Sequence, residues 1–251
     1  AVSATASIKG RLRYQLDQYF AAWVYKKAGK VVAVSDGVRA DILQRFTVDA
    51  SQVVTIYNPV LDESQLIPKS STTGFSTPPK IVALGRLTRQ KGFDILIEAM
   101  RQVPQPWRLE IWGDGEDKSV LQIQIEAYGL QDHIRLCGHT SQPLDVLRQA
   151  DVFVLSSRWE GLPTVLIEAL CGQLAIVSTD CPHGPKEILA NGCYGLLVDN
   201  ENPQALAEGI SQALSQAQPS SAAEMLERAQ EFSVNRAVFN WEKTLDGIHE
   251  K

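Results

Sequence analysis

From residue 80 onward, short apolar runs alternate with stretches of helical spacing. Runs at 80–84, 108–112, 134–137, 152–155, 175–178 and 195–198 carry few polar breaks, which predicts strands of a parallel sheet, buried on both faces. Between them, 92–102, 117–128, 143–149, 163–171 and 185–189 repeat apolar residues every three or four positions and predict helices. Helices at 204–214 and 222–232 follow, then a last one from 234 to about 248, with Val238, Trp241, Leu245 and Ile248 on one stripe. Repeated β–α units of this length predict an α/β fold: a Rossmann-like, doubly wound parallel sheet with helices on both faces.

Upstream the pattern is thinner. Ile8 to Lys27 reads as a helix with an apolar stripe at Ile8, Leu12, Leu16, Tyr19, Phe20 and Trp23, and with Lys9, Arg11, Arg13, Lys26 and Lys27 around it. We read it as a domain helix packing that stripe on a sheet. A peripheral contact with an anionic membrane surface is the alternative. A strand at 30–35, a helix at 36–46 capped by Ser35 or Asp36, and a strand at 53–57 complete the segment, and Asn58-Pro59 ends it. Two strands cannot close a doubly wound domain. Residues 1–61 are therefore expected to be the tail of an N-terminal domain, and the chain, opening at Ala1, a piece of something longer. Residues 62–79 have the Ser, Thr, Pro and Gly content of a linker. Residues 80–232 form the main domain, and 233–251 a helix returning toward the N-terminal portion.

Composition narrows the classes. The 251 residues are 44% hydrophobic and 21% charged, ordinary for a globular chain, and the net charge of −5 argues against nucleic-acid binding. No apolar run is long enough to span a bilayer. Cys137, Cys171, Cys181 and Cys193 form no CxxC pair and lie in or beside apolar segments, so buried free thiols of a cytoplasmic protein are expected, with no metal.

Candidate chemistry gathers at the predicted C-terminal ends of strands, where open α/β sheets hold ligands. After 152–155, Glu160 sits in a turn, and the amides of Gly161, Leu162 and Thr164 crown a helix whose first position suits Pro163. Glu168 follows one turn later, on the side of Thr164, within Val165, Leu166, Ile167, Ala169 and Leu170. A carboxylate rarely enters so apolar a helix without a partner. After 80–84, Gly85, Arg86, Lys91 and Gly92 place a forked guanidinium and an ammonium before a helix, suited to a diphosphate. Gly113-Asp114-Gly115-Glu116 follows the next strand, and Gly138-His139-Thr140 the one after. Cys181-Pro182-His183-Gly184-Pro185-Lys186-Glu187 follows 175–178. Taken singly, a basic turn, a Gly-flanked Asp and a loop histidine are ordinary turn chemistry.

Together, GRLTRQKG, GDGE, IRLCGH, ADVFVLSSRWEGLPTVLIEAL and CPHGPKEIL…GCYGLLV resemble, in order, the C-terminal domain of the retaining glycosyltransferases of family 4, which have the GT-B fold. The two carboxylates match their E-x7-E signature. The resemblance implies metal-independent transfer of a hexose or N-acetylhexosamine from a nucleotide-sugar, UDP-linked by family habit, to a glycan or lipid-linked acceptor. It implies that Gly85, Arg86 and Lys91 bind the diphosphate, and that Glu160, Gly161, Leu162, Pro163 and Thr164 meet the donor sugar. Glu168 would hold the ribose hydroxyls, Gly113 and His139 would border the nucleotide, and His183 and Gly184 would lie near sugar and phosphates. Arg86, Lys91 and Glu160 would act in catalysis, with no separate cofactor.

Family members also have a complete N-terminal acceptor domain. Its near absence here implies donor binding with little transfer by this chain alone, and self-association through the helices at 8–27 and 234–248. Three alternatives stand beside the transferase: a non-catalytic nucleotide-sugar module, a nucleotide-sugar epimerase of the same fold, and a membrane-surface adaptor. Location in the cytoplasm, or at the inner face of the membrane, is expected.

Overall fold

The computed structural model describes residues 19–68, 74–215 and 220–249. Residues 19–27 are helical (α1), followed by β1 (Val31–Ala33), α2 (Asp36–Arg45) and β2 (Val53–Thr55). β1 and β2 pair in parallel, Val31 opposite Val53, over a small core of Val31, Ala33, Ile42 and Val53. Ser35 caps α2: its backbone is extended, and its side-chain oxygen accepts the Val38 amide.

The α1 stripe departs from expectation. Tyr19, Phe20 and Trp23 are 78, 67 and 56% exposed, so they do not pack on a sheet. The two short strands offer only a small surface, which Tyr25 and Ala28 already meet, Tyr25 edge-on to Phe46 at 5.0 Å. Ile8, Leu12 and Leu16 lie outside the described residues.

The main sheet contains β3 (Lys80–Leu84), β4 (Arg108–Trp112), β5 (Ile134–Gly138), β6 (Val152–Leu155), β7 (Ala175–Thr179) and β8 (Leu196–Val198). Its order is β5-β4-β3-β6-β7-β8, every pair parallel. The connecting helices are α3 (Phe93–Met100), α4 (Lys118–Ala127), α5 (Pro143–Arg148), α6 (Thr164–Cys171) and α7 (Pro185–Ile188), and α8 (Pro203–Ser215), α9 (Ala222–Gln230) and α10 (Val234–His249) complete the chain. Side chains alternate across each strand, so the sheet divides its core in two. Ile81, Ala83, Val152 and Val154 join α3, α4 and α8 on one face. Val82, Leu84, Phe153 and Leu155 join α5, α6, α7 and α9 on the other. Continuous apolar runs follow from that double burial. Strand order reverses between β3 and β6, which opens a crevice above their C-terminal ends.

The segment of linker composition is held rather than loose where it is described. Asp62 and Gln65 form a capping box on a short 3-10 turn, and the Gln65 carbonyl accepts from Arg148 Nη2 at 2.6 Å. Ser76 and the amide of Lys80 bond to Asp151. The two parts of the chain also meet at 232–234. Val60 donates to the Phe232 carbonyl, Val234 to that of Leu61, and the Tyr57 and Phe232 rings lie 4.8 Å apart. Beyond this junction α10 exposes Val238, Phe239, Trp241 and Leu245.

Candidate functional site

The crevice beside the β3–β6 switch holds a cavity of about 530 Å³. Its floor comes from the end of β3. Leu84, Gly85 and Arg86 line it, and the Gly85 amide donates to the Trp112 carbonyl at 2.9 Å, holding the first loop against the next strand. Gly113 follows Trp112 with φ 142°, and a Cβ there would fall 1.9 Å from the Gly85 carbonyl oxygen. Only glycine allows this approach of the two loops. Its amide donates to the Gly138 carbonyl, which brings His139, Thr140 and Pro143 to the far rim.

Lys91 ends a single 3-10 turn, Arg89–Lys91, and Gly92 follows in the left-handed region at φ 63°. A Cβ on Gly92 would lie 2.1 Å from the Ser156 carbonyl, so the turn rests against the loop after β6. There Lys91 Nζ meets Glu160 Oε1 at 2.6 Å, and Ser157 Oγ donates to the same oxygen at 2.6 Å. The side chains of Lys91 and Glu160 are 18 and 6% exposed. Glu160 thus has both a charge partner and a neutral donor, as a nearly buried carboxylate requires. The other cation of the cavity, Arg86, is exposed and has no ion pair among the described residues.

The two loops are bolted together from behind. Arg158 donates through Nη1 and Nη2 to both Asp94 carboxylate oxygens at 2.8 and 2.7 Å, and through Nη1 to the Arg89 carbonyl. Burial pushes the Asp94 carboxyl upward, but the guanidinium outweighs it and holds the group below its ordinary range. Gln90 Nε2 adds a bond to the Trp159 carbonyl at 2.9 Å. Sequence reading did not single out Asp94, Gln90 or Arg158. Their partners lie far along the chain, and no local pattern marks them.

Pro163 is not the first residue of α6 but its N-cap, with ψ 95°, and Thr164 is the first helical position. The chain is still extended at Pro163, so the helix starts one residue later than its missing N–H suggested. No side chain caps this end. Leu162, Pro163, Thr164 and Val165 line the cavity, and so does Glu168. Burial alone raises the Glu168 carboxyl to about 7. An acceptor that unsatisfied, facing a cavity, suits hydroxyl donors.

The structure does not bring His183 and Gly184 into this cavity. They line a neighbouring one of about 710 Å³ with Asp36, Tyr57 and Glu187. His183 lies against Gly37, where a Cβ would sit 2.9 Å from its ring. Its role is felt through the backbone: the His183 amide donates to the Glu160 carbonyl at 2.7 Å, and the Glu160 amide to that of Pro182 at 2.6 Å. Gly161 presents its carbonyl to Ser35 Oγ at 3.1 Å instead of lining the cavity. Glu187, which the sequence offers only as the end of the 181–187 cluster, is a tether to α2. Its carboxylate accepts the amides of Asp36 and Gly37 at the start of α2 and the Tyr57 hydroxyl. Burial in particular raises the Tyr57 hydroxyl well above its usual range, and Glu187 adds to it.

Cys181, buried beside Glu160, is pushed up to about 12 by burial, so it is a protonated thiol at neutral pH. Among the described residues no group of three or more His, Cys, Asp or Glu is placed to hold a metal ion. The cavity can therefore offer an exposed guanidinium, a paired ammonium–carboxylate couple, an uncapped helix end and a buried hydroxyl acceptor.

Known proteins resemble this chain in sequence and fold. The chain is 31% identical over 199 residues to an uncharacterised glycosyltransferase of Methanocaldococcus jannaschii, covering 66% of this chain and 49% of that protein. It is 26% identical to the N-acetylgalactosamine-N,N'-diacetylbacillosaminyl-diphospho-undecaprenol 4-alpha-N-acetylgalactosaminyltransferase of Campylobacter jejuni, over 82% of this chain and 56% of that one. The chain thus spans about half the length of these curated relatives. The structure of Anabaena HepE in complex with UDP superposes with a TM-score of 0.83 at 23% identity, over 93% of this chain and 68% of that one, a likeness of GT-B fold. The family model for glycosyl transferases group 1 matches residues 69–232. The chain belongs to the group 1 glycosyl transferases.

Proposed function

We propose that the cavity at the β3–β6 switch binds a nucleotide-sugar, UDP-linked, and that the chain is the donor-binding part of a retaining, metal-independent glycosyltransferase of family 4. The product would be a hexose or N-acetylhexosamine joined to a glycan or lipid-linked acceptor. The observation that carries this reading is the convergence of Arg86, the Lys91–Glu160 pair and Glu168 on one cavity. Residues 80–232 then serve as the donor domain, with β1, α2 and β2 on the acceptor side.

The chemistry follows from the groups present. Glu168 accepts from the ribose hydroxyls. Arg86 and Lys91 hold the diphosphate, and Glu160 faces the sugar. In transfer, the bond from the anomeric carbon to the diphosphate oxygen breaks, and a bond to the acceptor hydroxyl oxygen forms on the same face. The acceptor's proton passes to the departing diphosphate. Charge grows on that diphosphate, and Arg86, Lys91 and the uncapped start of α6 stabilise it in place, with no reorganisation at the moment of reaction. HepE is known as complexes with UDP and with UDP-glucose, and the Campylobacter relative by its name acts on a diphospho-undecaprenol, which supports donor and acceptor classes alike. A lipid-linked acceptor would place the enzyme at the inner membrane face. Among the described residues no helix is long and apolar enough to cross a membrane.

The test is a melting curve with UDP, GDP and ADP. UDP at a hundredfold excess over its dissociation constant should stabilise the chain by about 2.7 kcal/mol. No shift with any of the three at millimolar concentration would end the nucleotide-sugar reading. Product analysis with UDP-sugars then separates transfer from epimerisation.

A further inference from the structure

The stripe of α1 that meets no sheet forms a patch of its own. Tyr19, Phe20, Trp23, Val24 and Lys27 fall at helical spacing on one face, and all five are exposed. The Phe20 and Trp23 rings stack with centroids 6.2 Å apart, and Lys27 Nζ lies 4.6 Å over the Trp23 ring. On the opposite side Tyr25 and Ala28 pack against the small core of β1 and β2. The helix is thus seated by one face and presents aromatic rings, with Lys26 and Lys27 at their edge, on the other. Nothing in the donor reading uses this patch.

Charge sets the segment apart from the rest of the chain. Residues 8–30 contain Lys9, Arg11, Arg13, Lys26, Lys27 and Lys30 against a single acid, Asp17. That is a net charge of +5, so the overall −5 leaves −10 on everything else. Lys9, Arg11 and Arg13 lie outside the described residues and enter by sequence alone. The other exposed apolar face, with Val238, Phe239, Trp241 and Leu245 of α10, has no such bias, because Glu242 and Asp246 match Arg236 and Lys243. A second copy pairing through the same α1 face would set like charges against each other. An anionic lipid surface offers both complements at once: phosphates for the ammonium groups, and the headgroup boundary, where Trp and Tyr settle, for the rings.

We propose that α1 lies along an anionic phospholipid surface. Tyr19, Phe20, Trp23 and Val24 enter the boundary between headgroups and acyl chains, while Lys26 and Lys27 reach the lipid phosphates. The inference deepens the proposed function and rests on it in one respect, the lipid-linked acceptor. α1 leads through β1 to Ser35, whose Oγ donates to the Gly161 carbonyl next to Glu160. Glu187 accepts the first amides of α2 from the donor domain's side. The unit that would rest on the bilayer is therefore fastened to the loops of the donor cavity. An acceptor carried in the membrane would then be held at a fixed place relative to the donor, as proximity requires.

The experiment is co-sedimentation of the whole chain with vesicles of phosphatidylcholine alone, and of an equal mixture with phosphatidylglycerol, at low and high salt. The chain should bind the anionic vesicles, leave the neutral ones, and come off as salt rises. Lys26→Gln with Lys27→Gln should weaken binding roughly fivefold for each charge removed. Phe20→Ser with Trp23→Ser should weaken it roughly tenfold or more, as the lost burial of one such side chain already implies. Val238→Ser with Trp241→Ser, on α10, should leave it unchanged. Urea midpoints report that each variant folds. No binding to the anionic vesicles, equal binding to the neutral ones, indifference to both α1 variants, or loss through the α10 variant alone would overturn the proposal. So would a dimer that ignores vesicles and turns monomeric with Phe20→Ser and Trp23→Ser, which would give the face to a second copy. Vesicle binding by a chain that takes no UDP would end the donor reading and keep this inference, and UDP binding without vesicle binding would do the reverse.

Discussion

Lys91 Nζ lies 2.6 Å from Glu160 Oε1, joining two loops 69 residues apart in the chain across the point where strand order reverses. Each group limits the other. The ammonium keeps a nearly buried carboxylate satisfied, and the carboxylate takes up part of the charge that would otherwise face the cavity. Arg86 is left as the uncompensated cation of the cavity.

Removing one partner should therefore cost more than removing both. Lys91→Met leaves Glu160 with Ser157 as its side-chain donor and should destabilise the chain by on the order of 3 kcal/mol. The double variant Lys91→Met, Glu160→Gln should recover much of that loss, because no buried charge remains. Urea unfolding of the three variants checks this. Additive losses would mean that the pair is not coupled.

Glu168 predicts a pH dependence. Its folded value, about 7, lies above its ordinary 4.5 because burial disfavours the charged form. The folded state then holds the proton more tightly than the unfolded one, so stability is fullest below pH 4.5 and falls as pH rises through 7. Glu168→Gln should remove this fall and stabilise the free chain at pH 8 by about 1–3 kcal/mol, discounted for partial exposure. Ribose hydroxyls donate best to the ionised form, so uridine should bind the parent chain better at pH 8 than at pH 6. The Gln variant should lack that slope. Melting curves and titrations at the two pH values decide both points.

Much of the fold is legible in the sequence because the sheet is buried twice over. Strands 80–84, 108–112 and 152–155 have the bounds that their apolar runs predict, and the helices between them end within a few residues of expectation. Glycine and carboxylate spacing also marks the turns after β3 and β6. Facing relationships between distant loops leave no local trace. Nothing near Asp94 announces Arg158, and nothing near Glu187 announces the α2 amides. The resemblance implies His183 near sugar and phosphates; β7 lies one strand further from the switch than β6, and the His183 side chain lines the neighbouring cavity beside α2. The Tyr19–Trp23 stripe looked like a packing face, but periodicity does not show whether a surface exists to receive it.

The hidden clamp gives its own prediction. Arg158→Leu removes a bidentate bond to Asp94, which is 46% exposed on its side chain, and a bond to the Arg89 carbonyl. Stability should drop by about 1–2 kcal/mol. UDP affinity should fall as well, because Lys91 and Glu160 lose their common support. Arg158→Lys should restore little, since an ammonium cannot hold both oxygens of Asp94 and the carbonyl in one plane. Unchanged UDP binding in a less stable Arg158→Leu chain would show that the clamp serves folding alone.

Glu187 is expected to act on the other junction. Glu187→Ala takes away the acceptor of two α2 amides and of the Tyr57 hydroxyl, a loss of about 1–2 kcal/mol by the measure of helix caps. Hydrogen exchange should quicken in α2 and stay slow in β3 and β6. Uniform quickening would place the tether in the main core instead.

The most direct measurement of the proposed donor site is calorimetry of UDP and of UDP-glucose, UDP-galactose and UDP-N-acetylglucosamine on the parent chain, Glu168→Ala and Glu160→Gln. The parent should bind UDP. Glu168→Ala should lose roughly tenfold or more for UDP and UDP-sugars alike, the value of about one strong hydrogen bond. Glu160→Gln should bind free UDP at least as well as the parent, because Lys91 is released toward the diphosphate, yet lose its discrimination in favour of the intact sugar nucleotide. Absence of UDP binding to the parent, or equal losses for every ligand in both variants, would contradict the assignment of this cavity to a nucleotide-sugar.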